Sequence, residues 1–93
     1  MEHQRGWTLF LKLCRDVDSP QTLKNFFDFI FTPEERLSLA GRIELVQELM
    51  KGEKSQRDIS KKLNISIAKI TRGSNALKTI HPSLLKWLQD ELA

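Results

Sequence analysis

Ser55-Gln56-Arg57-Asp58-Ile59-Ser60-Lys61-Lys62-Leu63-Asn64-Ile65-Ser66-Ile67-Ala68-Lys69-Ile70-Thr71-Arg72-Gly73-Ser74-Asn75-Ala76-Leu77 is the stretch that decides the fold. Ser55 reads as a helix N-cap, because its short side chain can accept from an N–H of the first turn. The helix it opens runs to about Leu63. Asn64 can take the left-handed backbone that a tight turn needs, and a second helix starts from Ser66 and runs to about Leu77. Two short helices joined by a turn of this length form a helix-turn-helix, over about residues 56–77, in which the first helix braces the second in the major groove of DNA.

Such a motif needs an apolar seam at set offsets. Ile59 and Leu63 supply the inner face of the first helix, Ile65 the plug beneath the turn, and Ile67 and Ile70 the inner face of the second, with small Ser60 where the helices cross. The outward set is Gln56, Arg57, Ser66, Ala68, Lys69, Arg72 and Asn75, polar and basic residues suited to phosphates and base edges. Lys61, Lys62, Ile67 and Thr71 are also counted as DNA-facing.

Charge points the same way. From Lys51 to Lys78 there are eight Lys/Arg against Glu53 and Asp58, a net +6 in a chain whose total is +3. Clustered positive charge is the footprint of a polyanion-binding face. An ordinary helical hairpin with a solvated basic surface is the competing reading of the same spacing.

The rest of the chain is helical too, so the expected class is all-α with six helices. Trp7, Phe10, Cys14 and Val17 recur at three- and four-residue spacing in a helix over Glu2–Val17. Ser19-Pro20 opens a second helix to about Phe31, rich in phenylalanine. Thr32-Pro33-Glu34-Glu35 combines an N-cap, a proline at the first helical position and a capping box. Behind it Leu39, Ile43, Val46 and Met50 fall on one face of a long central helix, with Ala40, Leu45 and Leu49 flanking and Gly52 as the stop. Pro82 opens the last helix.

Length and composition bound the function. The 93 residues carry no linker or composition break, so residues 1–93 are read as a single domain. A chain this short buries a modest fraction of its surface, and the phenylalanine-rich second helix offers more apolar area than a monomer hides, which implies a homodimer. The lone Cys14 reads as a small core residue. Apolar stretches are too short to span a bilayer and the N-terminus lacks a signal-peptide layout, so a cytoplasmic protein without a membrane partner is expected. With His3 and His81 the only histidines, no nucleophile, base and orienting group can be assembled, and no metal site is expected; an enzyme is the class least supported.

Phe31-Thr32-Pro33-Glu34-Glu35-Arg36, Gly52-Glu53-Lys54-Ser55-Gln56-Arg57 and above all Ile70-Thr71-Arg72-Gly73-Ser74-Asn75 closely resemble the Trp repressor family, and the likeness runs without a gap from about Phe29 to Leu92. The resemblance implies an intertwined homodimer that represses tryptophan biosynthesis or uptake genes by binding operator double-stranded DNA, with L-tryptophan as corepressor and no other cofactor. It implies that the indole lies between Arg42 and Arg72, guanidinium planes being good partners for aromatic faces. The ligand carboxylate would meet Arg72 and Thr32, and the main-chain carbonyls of Phe29 and Phe31 its ammonium. Gly73 would let the ligand approach the helix backbone, helix end or close helix packing being the other reasons for a glycine there. Ala76 stands where well-known members carry a serine near the ammonium, and Lys69 where they carry a threonine at the DNA face. A helix-turn-helix regulator that answers another ligand or none is the rival; a helical protein-interaction module is a third possibility.

Overall fold

The computed structural model describes residues 2–93. Among them it forms six α-helices and no strand: α1 Gln4–Asp16, α2 Pro20–Ile30, α3 Pro33–Lys51, α4 Gln56–Leu63, α5 Ile67–Leu77 and α6 Pro82–Leu92. The boundaries follow the capping chemistry of the sequence. Ser19 Oγ accepts from Thr22 N–H at 3.1 Å, Ser55 Oγ from Asp58 N–H at 3.1 Å, and Ser66 Oγ from Lys69 N–H at 3.2 Å. The capping box of α3 is reciprocal: Thr32 N–H donates to Glu35 Oε1 at 2.8 Å, and Glu35 N–H to Thr32 Oγ1 at 3.1 Å. His81 caps α6, its Nδ1 accepting from Ser83 N–H at 3.1 Å.

The chain divides into two compact units, one ending at Arg36 and one from Leu37 to Ala93. In the first, Phe10 is the hub of a ring cluster, its centroid 5.5 Å from Trp7, 5.8 Å from Phe26, 6.1 Å from Phe27 and 5.9 Å from Phe31. Arg36 staples the end of α2 to the start of α3, donating from Nη1 to the carbonyls of Phe31 at 2.8 Å and Asp28 at 3.2 Å. Yet no residue of α1 or α2 is buried. Cys14 is only half-buried, not a core residue, on a helix that has no buried residue.

In the second unit Ile59 and Ile70 are 1% and 0% exposed and pack with buried Leu45, with Leu49, Leu63 and Ile65 around them. Each fully buried isoleucine contributes about 1.5–3 kcal/mol of transfer free energy, so this seam fixes α4 and α5 against α3. Two expectations need correction. Ile67 is 47% exposed and not part of the inner face: it is the first residue of α5, and Ile70 one turn later fills the seam. On α3 the inner residues are Leu45 and Glu48, while Leu39 and Ile43 lie open. The helix is apolar on two sides, and of the face read from periodicity Leu39 and Ile43 lie exposed while Val46 and Met50 are half-buried. At the far end of α3, Gln47 Nε2 donates to the Leu92 carbonyl at 3.0 Å and satisfies one of the orphan acceptors at the end of α6.

Candidate functional site

The turn between α4 and α5 is the tightest feature of the basic segment. Asn64 takes the left-handed conformation, φ 54° and ψ 48°, and its N–H donates to the Ser60 carbonyl. The Ile65 N–H donates to the same oxygen at 3.3 Å, which drops the Ile65 side chain onto the Leu45–Ile59–Ile70 seam. Ser66 then caps α5. This is the helix-turn-helix geometry, reached with a three-residue turn, Asn64-Ile65-Ser66.

Gln56, Arg57, Lys61, Lys62, Ser66, Ala68, Lys69, Thr71, Arg72 and Asn75 all lie exposed on α4, α5 and their caps, as does Ile67. The Thr71 hydroxyl donates to Gln56 Oε1 at 3.2 Å and so couples the two helices on their outer side. Lys62 is distinct within this set, because its ammonium is engaged with Glu48 Oε1 at 2.7 Å.

Glu48 is a residue that the sequence reading missed. It is 4% exposed on the inner side of α3, with Lys62 Nζ at 2.7 Å, Lys54 Nζ at 3.2 Å and Lys51 Nζ at 3.7 Å. The Lys62 hydrogen bond, helped by Lys54 and opposed by burial, holds its carboxyl down at about 2, and Glu48 in turn raises the Lys62 ammonium. The signal was present in sequence: Glu48 follows Leu45 by three positions, on the same side of α3, in front of a segment dense in lysine.

In the first unit Phe29 is 84% exposed. Its carbonyl lies in the last turn of α2, and the residue four positions on is Pro33, which has no N–H to give it. The Phe31 carbonyl already accepts from Arg36, leaving one lone pair. Thr32 Oγ1 accepts within the capping box and keeps its hydroxyl hydrogen to donate.

In the second unit Arg42 on α3 and Arg72 on α5 are both exposed, as is Ala76. Between α3 and α5 sits Gly73. A Cβ built on it would lie 3.1 Å from Leu45 Cδ2 and 3.5 Å from Leu49 Cδ1. Close helix packing accounts for a glycine at this position. Arg72, its neighbour, is thereby held beside the α3–α5 contact, and Arg42 is three residues before Leu45 on the other helix.

A family profile described as Trp repressor protein matches residues 5–92. The chain belongs to the Trp repressor family. Three relatives, each called a Trp operon repressor homolog, make the extent of the likeness plain. One from Chlamydia trachomatis serovar D is 38% identical over 91 residues, 98% of this chain and 97% of the relative. One from Chlamydia caviae is 42% identical over 88 residues, 95% and 87% of the two chains. One from Vibrio parahaemolyticus is 43% identical over 82 residues, 85% and 80%. Membership makes this a tryptophan-related transcriptional repressor of a regulatory, non-enzymatic family. The all-α, six-helix fold expected for a Trp repressor agrees with the six helices described here. Among the described residues no helix is long and apolar enough to cross a membrane.

Proposed function

We propose that this Trp repressor family chain is an L-tryptophan-activated repressor that binds operator DNA as an intertwined homodimer, residues 1–93 forming its single domain. The observation that carries the reading is the seat of Gly73 against Leu45 and Leu49, which puts Arg72 of the reading helix next to α3. A ligand held there acts on the orientation of α5 itself.

In this reading the indole stacks between Arg42 and Arg72, with Gly73 and Ala76 beside it. Thr32 and Arg72 take the carboxylate, and the carbonyls of Phe29 and Phe31 the ammonium. Alanine at 76 offers no hydroxyl to the ammonium, so the two carbonyls carry that contact alone. The α5 helix enters the major groove, a docking mode for which Trp repressors are themselves a standard example. Arg57, Lys61 and Lys69 neutralise phosphates, while Gln56, Ser66, Ile67, Ala68, Thr71 and Arg72 lie toward the DNA.

The homodimer is supported by what one chain leaves uncovered. Trp7, Phe29, Leu37, Ile43 and Trp87 are each more than half exposed, and an open apolar hollow of about 560 Å³ is lined by residues including Trp7, Phe10, Ile30 and Phe31. Isolated exposed apolar side chains are ordinary, but a set this large on a small chain supports the reading that a second copy covers part of it. Calorimetric titration with L-tryptophan tests the ligand, since Trp7 and Trp87 would obscure fluorescence. Sedimentation at micromolar concentration tests the dimer. Saturable one-per-chain binding and a dimer support the proposal; no heat of binding, or a stable folded monomer, overturns the corresponding part.

A further inference from the structure

We propose that Glu48 is the residue that fixes the helix-turn-helix on α3, and that Lys54 and Lys62 serve this anchor and not the DNA backbone. The inference rests on the reading that α5 contacts DNA, and assigns to the basic segment a division of labour that its charge alone does not reveal.

Burial, distance and helix position carry it. Glu48 is the one buried polar or charged side chain among the described residues, and a carboxylate in that position needs paired, hydrogen-bonded cations. Its two oxygens face different lysines. Oε1 accepts from Lys62 Nζ at 2.7 Å, while Oε2 has no hydrogen-bond partner and is balanced by the Lys54 charge, its Nζ 3.2 Å away. Lys54 precedes the Ser55 cap of α4 and Lys62 stands in the last turn of that helix. One carboxylate on α3 thus holds both ends of the bracing helix, while Ile59 between them plugs the seam.

The helical wheel separates these lysines from the others. Residues three or four apart share a side of a helix, whereas residues two apart face nearly opposite ways. Lys62 is three positions from buried Ile59, so it flanks the inner side of α4. Arg57 and Lys61 are each two positions from Ile59 and face away from α3, toward any DNA that α5 engages. A buried ion pair adds little net stability over an apolar substitute, but it can enforce one arrangement, because removing one partner leaves the other charge uncompensated. Here the enforced arrangement is the position of the reading head. Glu48 is therefore a positioning residue that acts on DNA recognition through α4.

The test uses the full chain with saturating L-tryptophan and a duplex selected from a random pool by the wild type, against a scrambled duplex of equal length. Affinities are measured over a salt series for wild type, Glu48→Gln, Lys62→Gln, Lys62→Arg and Lys61→Gln, with melting temperatures recorded separately. Glu48→Gln and Lys62→Gln are expected to lower the ratio of selected to scrambled affinity at least fivefold. Lys62→Gln leaves the slope of log K against log salt unchanged, and Lys62→Arg keeps the wild-type ratio. Lys61→Gln flattens the slope by about one and keeps the ratio. If Lys62→Gln flattens the slope by about one with the ratio intact, Lys62 is a phosphate contact and the proposal is wrong. If the glutamine variants lower only the melting temperature, the ion pair is merely structural and the proposal is again wrong. A wild type that selects no duplex sinks the DNA-reading function, and this inference with it.

Discussion

Gly73 on α5 rests against Leu45 on α3 so closely that a Cβ placed on it would stand 3.1 Å from Leu45 Cδ2. Leu45 is itself buried against Ile59 and Ile70 and has little room to give. Replacing Gly73 by alanine gains roughly 1 kcal/mol of helix propensity but forces an overpacked contact that costs about 1–3 kcal/mol. A net loss of about 1 kcal/mol is expected, read as a lower denaturation midpoint. The double variant Gly73→Ala with Leu45→Val should recover part of it, since the two sites share one contact. Equal effects of Gly73→Ala in the presence and absence of Leu45 would contradict this packing account.

Stability should also fall with acid. Glu48 titrates at about 2 in the folded protein against an ordinary 4.5, chiefly through its hydrogen bond from Lys62. A depressed carboxyl contributes stability that is fully present above its unfolded value and is lost as pH drops toward the folded one. Denaturant midpoints should therefore decline between about pH 4.5 and 2, and Glu48→Gln should be less steep over that window while less stable at neutral pH. Some slope will remain in the variant, because Asp16 and Asp28 are also held low, by hydrogen bonds from Lys12 and Lys24 respectively. An unchanged acid limb in Glu48→Gln would remove Glu48 from this role.

The left-handed Asn64 sets the turn of the reading head. Glycine there should be neutral to slightly stabilising, whereas a β-branched Asn64→Val should cost about 1–2 kcal/mol, the penalty for an L-residue in that region. Chemical denaturation of the three proteins gives the order directly; valine as stable as asparagine would mean that the turn can relax to another conformation.

Most of the helical framework was legible because its signals are local. Ser19-Pro20, Thr32-Pro33 with Glu35, Ser55, Asn64, Ser66 and Pro82 each announce a boundary within four residues, and each forms the cap or turn expected of it. What was not legible is which side of a helix faces inward when both are apolar. On α3 the choice between Leu39–Ile43 and Leu45–Glu48 is made by distant partners, namely the Ile59–Ile70 seam and the lysines at 54 and 62. Ile67 was misplaced for a related reason: hydrophobicity at the first position of a helix does not say whether the chain has yet turned inward. The basic face was visible as charge, but the pairing of Lys62 joins residues fourteen positions apart on different helices, which a count of charges does not reveal.

Thr32 can be separated into its two roles. As the N-cap of α3 it is replaceable by aspartate, a good cap, while alanine should cost about 1 kcal/mol of stability. If Thr32 also meets the tryptophan carboxylate, Thr32→Asp should weaken tryptophan binding by calorimetry well beyond Thr32→Ala, since two carboxylates then repel. Equal ligand affinity in wild type and Thr32→Asp would confine this residue to capping.

The central claim is that tryptophan gates the reading head through α5, and linkage makes it measurable: whatever factor tryptophan adds to operator affinity, operator must add to tryptophan affinity. The most direct measurement is the affinity of the wild type for a selected operator duplex with and without saturating L-tryptophan at matched salt, repeated with Arg42→Leu and Arg72→Leu. We expect tryptophan to tighten wild-type binding by about 5- to 150-fold, Arg42→Leu to need more tryptophan for the same gain, and Arg72→Leu to lose it. Equal operator affinity of the apo and tryptophan-saturated wild type would contradict the account and leave a helix-turn-helix repressor that does not answer to tryptophan.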